Sequence, residues 1–142
     1  GRTVVINGDG AVYPSVQIEG GHFSLQAPQS PITHLRIGLP FIPVLIPMSP
    51  ELQLPNGPSF GAKKRYAKVK VFTVDTMTIT VNGETAAARS PGDLMDTAPE
   101  ADVLGIFQFT TLGSEEIVSL TLTQPLPLET DITSIYGEVE VE

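Results

Sequence analysis

The sequence predicts an all-β fold, namely an antiparallel β-sandwich or barrel-like domain with a proline-rich extended arm. Short apolar runs alternate with polar residues at a period of two, as in half-buried strands. Thirteen glycines and thirteen prolines interrupt the 142 residues, which favours short strands joined by turns. No segment has a sustained helical period of apolar residues.

The first 27 residues predict antiparallel strands joined by tight turns. Residues 3–6 form an apolar run, and residues 7–10 read Asn-Gly-Asp-Gly. Both pairs favour the positive φ of hairpin turns. Val16 and Ile18 alternate on the returning strand, and residues 23–27 predict a further strand.

A strand predicted at residues 32–37 leads into the proline arm, which we define as residues 39–60. Proline cannot donate to a ladder and biases the preceding residue towards extended geometry, so the arm is neither a central strand nor a helix. Its apolar side chains are expected to be buried, either against the chain's own core or against a neighbouring subunit. The side chains of this predicted interface are Leu39, Phe41, Ile42, Val44, Leu45 and Ile46.

The clearest half-buried strands are predicted after the proline arm. The first places Ala67, Val69 and Val71 on one face, with Lys68 and Lys70 on the other. The second alternates Met77, Ile79 and Val81 with Thr78 and Thr80, and Asn-Gly-Glu at residues 82–84 predicts a turn after it.

Further strands are predicted around a turn-rich acidic loop at residues 88–103. They lie at residues 104–113 and 116–124, with a short connection at residues 113–116. In the last strand, Ile135, Val139 and Val141 face inward. The sequence divides into an N-terminal β-hairpin unit at residues 1–50 and a main antiparallel domain at residues 62–142, or forms one continuous domain.

Charge is unevenly distributed along the chain, whose net charge is −8. Residues 1–70 hold seven basic and three acidic residues, a net charge of +4, whereas residues 71–142 hold one basic and thirteen acidic residues, a net charge of −12. Such an acidic protein repels phosphate, so it is not expected to bind nucleic acid broadly. It can border a nucleic-acid path without holding it.

The basic residues concentrate at the start of the first predicted long strand, and they allow three interpretations. They are Lys63, Lys64, Arg65, Lys68 and Lys70. In the first interpretation, these residues form the solvated face of a strand. In the second, they pair with the acidic half of a neighbouring copy, and in the third they contact nucleic acid. Lys63, Lys64 and Arg65 complete the predicted subunit interface.

The residues give no candidate catalytic centre, metal site or cofactor site. His22 and His34 lie in separate strand-turn contexts, whereas a metal site needs three or four ligands. The acidic residues of the loop at 88–103 offer oxygen ligands for Ca²⁺ but lack EF-hand spacing, so a solvated loop is favoured. No nucleophile elbow or phosphate-binding loop is present. We predict that the protein is not an enzyme. No apolar run approaches the about 18 residues of a membrane helix.

Four stretches in order resemble the C-terminal region of the tail nozzle or tail tubular proteins of short-tailed bacteriophages and prophages. These stretches are GAVYPSVQIEGGHFSL, ITHLRIGLPF, KKRYAKVKVFTVDT and QPLPLETDITSIYGEVEV. Together they span nearly the whole chain. Members of that family are usually much longer, and the proline arm and the loop at residues 88–103 differ from their pattern.

The resemblance implies a virion structural protein, made in the host cytoplasm and placed in the tail. It implies homo-oligomeric rings that contact other tail proteins around the DNA exit path, with DNA passing through and not specifically bound. The alternative is a receptor- or carbohydrate-binding β-sandwich on a virion surface. The absence of Trp counts against that alternative, because sugar binders usually stack aromatic rings on sugars.

Overall fold

The computed structural model describes residues 1–25, 31–59, 61–89, 92, 101, 103–115 and 118–141, without the side chains of residues 111–115. All regular structure in this part of the chain is β-strand, so the predicted all-β class is confirmed. The strands are β1 (Arg2–Gly8), β2 (Ala11–Ile18), β3 (Leu35–Gly38), β4 (Val44–Leu45), β5 (Gln53–Leu54), β6 (Gly57–Pro58), β7 (Lys64–Val74), β8 (Thr80–Val81), β9 (Glu84–Thr85), β10 (Gly105–Glu115), β11 (Leu122–Thr123) and β12 (Asp131–Val141). Every described pairing between strands is antiparallel.

Two sheets enclose the main core. The long sheet has the order β10-β7-β12, and the short-stranded sheet has the order β4-β11-β8-β9. Alternation along β7 points Val69 and Val71 inward, where they share a core cluster with Val81 and Leu122 of the second sheet. Ala67, predicted on the same face, is only partly buried, and Tyr66 is buried in its place because the pairing of β7 with β12 shifts register at this point. The main core is therefore shared by residues of two antiparallel sheets, as expected for the predicted all-β class.

The N-terminal strands form a separate three-stranded sheet in the order β2-β1-β3. The turn between β1 and β2 has positive φ at Asp9 (49°) and Gly10 (83°), and the same pair of angles recurs at Asn82 (47°) and Gly83 (85°) between β8 and β9. The turn signals at Asp9-Gly10 and Asn82-Gly83 are therefore confirmed, whereas the signal at Asn7-Gly8 is wrong, because both residues belong to β1. On β1, Val4 and Ile6 are buried.

Several boundaries differ from the sequence-based expectation. Residues 23–25 form no strand, and β3 begins at Leu35. The connection predicted at residues 113–116 is wrong as far as Glu115, because β10 extends to that residue. Most of the loop predicted at residues 88–103 lies outside the described residues.

The segment predicted as half-buried at residues 77–81 is buried on both faces. Thr78 and Thr80 have little exposed surface, as do Ile79 and Val81. The Thr78 hydroxyl donates to the carbonyl of Ala86 (2.6 Å), and the Thr80 hydroxyl lies 2.8 Å from that of Thr85. Because each hydroxyl finds a partner, threonine occupies core positions here without an unsatisfied polar group.

Candidate assembly surface

The first half of the proline arm carries a run of exposed apolar side chains, which we call the apolar strip (residues 39–48). Phe41 is 80% exposed and Met48 is 92% exposed. The other large apolar side chains of the strip are at least 45% exposed: Leu39, Ile42, Val44, Leu45 and Ile46. No charged residue occurs between Gly38 and Pro50. All six predicted apolar interface residues thus lie exposed and adjacent along one segment.

The backbone of the apolar strip is fixed by its own chain. Val44 and Leu45 pair with Thr123 and Leu122 of β11, which adds β4 to the edge of the short-stranded sheet. The side chains of Val44 and Leu45 nevertheless remain 57% and 45% exposed. The arm therefore packs in cis through its backbone, while its apolar side chains stay uncovered by the described part of the chain.

A groove of about 450 Å³ runs beside the apolar strip. One wall consists of residues 36–43 and the other of residues 124–129, and Val5 and Asn7 of β1 also line it. The Asn7 side-chain amide donates to the carbonyl of Pro127 (3.2 Å), which ties the N-terminal sheet to the second wall. At the rim, the exposed side chains of Arg36 and Glu129 form an ion pair of 3.1 Å. The walls of the groove are thus mainly apolar, and the opposite charges of Arg36 and Glu129 at its rim compensate each other.

Buried Gln124 holds the second wall in place. Its amide nitrogen donates to the Thr78 carbonyl (2.6 Å) and to the Thr130 hydroxyl (3.0 Å), and its Oε1 accepts the Leu126 N–H (3.2 Å). Three fixed partners leave this side chain little freedom. The proline-rich segment at residues 124–129 is therefore attached to the core at its first residue.

The basic residues predicted at the interface separate into different environments. Lys63 is exposed, and Arg65 donates from Nε to Glu140 of β12 (2.6 Å). The Lys64 side chain is fully buried, where its Nζ donates to Glu51 (2.8 Å) and to the Pro50 carbonyl (3.3 Å). Lys64 therefore binds the end of the proline arm within its own chain.

The carboxylate that holds Lys64 belongs to Glu51, which lies just before the β5–β6 hairpin. Ser59 donates from its hydroxyl to Glu51 (3.2 Å), and the same hydroxyl accepts the Leu52 N–H (2.9 Å). The hydrogen bond from Lys64 lowers the pKa of Glu51, and the Ser59 hydroxyl adds to the effect. Glu51 is thus an ionised acceptor that compensates a buried ammonium group.

The outer face of the long sheet combines cations with aromatic rings. Lys70 pairs across β7 and β12 with Tyr136, which is 57% exposed, and the half-buried Phe72 pairs with the exposed Ile106 of β10. Phe72 is expected from the sequence to be a core residue, and this prediction is wrong, because the side chain is only half-buried and lies on the outer face. No sequence pattern indicated that Tyr136 is a surface residue. The alternation of strand residues could have indicated the position of Phe72, because it directly follows the core residue Val71 and successive strand residues point to opposite faces.

A second, polar groove of about 480 Å³ lies on the other side of Arg36 and Glu129, and Asp9 and Asp75 are among its lining residues. Asp9 accepts the backbone N–H groups of Thr33 (2.6 Å) and His34 (2.7 Å), and these hydrogen bonds lower its pKa. Within the described ranges, no group of three His, Asp or Glu side chains is placed to hold a metal ion. The described residues also include no helix long and apolar enough to cross a membrane.

Comparison with protein-family models finds no match, and a search of curated protein sequences finds none. The resemblance to tail nozzle and tail tubular proteins therefore stays a prediction.

Proposed function

We propose that the chain is a structural subunit of a bacteriophage tail, in the nozzle, tail tube or adaptor, and that copies assemble through the apolar strip into a ring around the DNA exit path. The proposal also places it in contact with other tail proteins of the virion. The observation that carries it is the exposed, uncharged strip held on a fixed backbone. The sequence resemblance supplies the biological setting.

The size of the apolar strip supports assembly over a role as an isolated monomer. Seven large side chains exposed by 45% or more offer an apolar area on the order of several hundred Å². A standard interface buries roughly 800 Å² on each partner. The strip, which also forms part of one groove wall, therefore supplies a substantial share of the area that a stable contact between subunits requires.

The rigidity of the apolar strip supports the same proposal. Pairing of β4 with β11 fixes the strip itself, and the hydrogen bond from Lys64 to Pro50 fixes the chain just beyond the end of the strip, before any partner binds. Binding then orders few backbone residues, which lowers the entropic cost of association. This is the arrangement expected for a subunit contact that forms repeatedly with the same geometry.

The charge of the chain supports a channel that DNA passes through without being held. With a net charge of −8, a ring of copies presents a strongly negative field to phosphate. DNA inside such a ring is repelled from the wall and does not adhere to it.

A second candidate function is recognition of a surface glycan or receptor. The observation that favours it is the exposed Tyr136 ring beside Lys70 on the outer face of the long sheet. Glycan-array binding by wild-type protein, lost in Tyr136→Ala, would support this candidate. Binding to no glycan would count against it.

Electron microscopy of concentrated protein tests the proposed ring. We expect closed rings with a central channel for the wild type, and dispersed single subunits for Phe41→Ser/Ile42→Ser. Val12→Ser on β2 is the matched control, because Val12 is exposed but lies outside the strip. Single subunits in the wild type at every concentration would contradict the proposal.

A further inference from the structure

We infer that the contact between subunits is heterologous, with the groove of one copy receiving Leu104 of the next copy. This inference rests on the proposed function, because it names the two surfaces that meet in the assembly. A closed ring requires two different, complementary patches on each subunit, whereas a two-fold pair uses one patch twice. The described residues provide two separate exposed apolar patches.

The second patch lies where the chain enters β10. Val103 is 72% exposed, Leu104 is 80% exposed and Ile106 is 60% exposed. Val103 and Leu104 form a bend before the strand, and Ile106 continues the patch onto the outer face of the long sheet beside Phe72. None of these three residues lines the groove. The two apolar patches are therefore built from different segments of the fold.

The groove is large enough to receive an exposed side chain of the bend. The groove is concave, its volume is about 450 Å³, and Leu39, Phe41 and Leu126 are among its lining residues. Cavities of roughly 300 Å³ or more accommodate small apolar ligands, so the groove has room for a leucine side chain and part of its neighbour. A bend with an exposed leucine is the kind of projection that fits such a groove.

Charge favours this pairing over contact between two copies of the patch at Val103 and Leu104. The ten residues just before Val103 include four acidic and no basic residues. Two such segments brought together would repel each other, which opposes association. The apolar strip carries no charge, and Arg36 and Glu129 at the groove rim already compensate each other. The groove therefore admits an acidic neighbour without a like-charge contact.

Disulfide trapping tests the inference directly, because the chain has no cysteine of its own. Leu126→Cys and Leu104→Cys would be prepared separately with tags of different mass, mixed at assembling concentration and oxidised. We expect the mixed 126–104 disulfide to exceed both same-site pairs by at least about tenfold. Val12→Cys with Leu104→Cys is the control pair, for which no enrichment is expected. Phe41→Cys replaces Leu126→Cys if the latter does not fold.

Light scattering on the same samples before oxidation separates this inference from the proposed function. An oligomer that yields only 126–126 or 104–104 disulfides, or none, would overturn the heterologous contact and leave assembly itself standing. A monomer at every concentration would overturn both. With Leu104→Cys/Leu126→Cys in one chain, a ladder of whole multiples ending at one closed species supports the inference, and a product that stops at the dimer contradicts it.

Discussion

The ring of Tyr66 on β7 lies directly over Gly137 on β12. A Cβ added at Gly137 would stand 2.7 Å from Cε1 of Tyr66 and 3.0 Å from Cδ1. Tyr66 is 7% exposed and belongs to the main core. An aromatic ring over a strand glycine compensates for the missing side chain, so this pair joins the last strand to the core.

Gly137→Ala is expected to destabilise the fold, because the buried Tyr66 ring must move to admit the methyl group. Overpacking of this kind costs about 1–3 kcal/mol of unfolding free energy. Urea denaturation followed by circular dichroism measures the change. Gly38→Ala on β3 is the control, because a Cβ there meets no atom within 4 Å. Equal stability of the two variants would show that the Tyr66 ring moves aside without a cost in unfolding free energy.

Gln124→Ala is expected to lower the unfolding free energy by about 1–3 kcal/mol, since it leaves buried hydrogen-bonding groups without partners. The affected groups are the Thr78 carbonyl and the Leu126 N–H. Gln17→Ala on the exposed part of β2 serves as the control. Thermal unfolding compares the two variants. A melting temperature for Gln124→Ala as high as that of Gln17→Ala would mean that Gln124 does not anchor the groove wall.

The ion pair between Lys64 and Glu51 predicts a dependence of stability on pH. Because the pKa of Glu51 in the folded state lies below its ordinary value of 4.5, its stabilising effect is present above pH 4.5 and is lost as pH falls through the folded value. We expect Glu51→Gln to weaken the loss of stability below pH 4.5. The lowered pKa of Asp9 leaves a remaining acid dependence in that variant. An unchanged acid profile would contradict the role of Glu51.

The same pair predicts an order of stability among variants at neutral pH. Glu51→Gln leaves the fully buried Lys64 ammonium without a compensating charge, and an uncompensated buried charge is strongly destabilising. Adding Lys64→Met removes that charge and retains much of the buried volume. The double variant is therefore expected to unfold at higher denaturant concentration than Glu51→Gln alone. The reverse order would show that Lys64 reaches another acceptor.

The parts of this fold that depend only on residues close together in the sequence could be predicted. The Asp9–Gly10 and Asn82–Gly83 turns follow from residues that tolerate positive φ, and the inward positions of Val69 and Val71 on β7 follow from alternation. The burial of Lys64 could not be predicted, because it depends on Glu51, which lies thirteen positions away just before a hairpin. For the same reason, no local pattern indicated that β7 lies between β10 and β12.

The candidate surface was partly predictable. The prolines and apolar residues of the arm indicated an extended segment in need of cover, and the structure places those side chains outside the core. The groove could not be predicted, because its walls are separated by more than 80 residues and meet only through contacts such as Asn7 with Pro127. Apolar content in a sequence indicates a need for burial, but it does not identify the covering surface.

Native mass by size-exclusion chromatography with light scattering, across a concentration series, tests the central claim most directly. The account predicts a discrete closed oligomer several times the 15.1 kDa chain mass. It also predicts that Phe41→Ser/Ile42→Ser shifts this species to monomer while the melting temperature stays within a few degrees of wild type, because the replaced side chains lie outside the core. A wild-type mass of 15.1 kDa at every concentration, or an oligomer unaffected by the double substitution, would contradict assembly through the apolar strip.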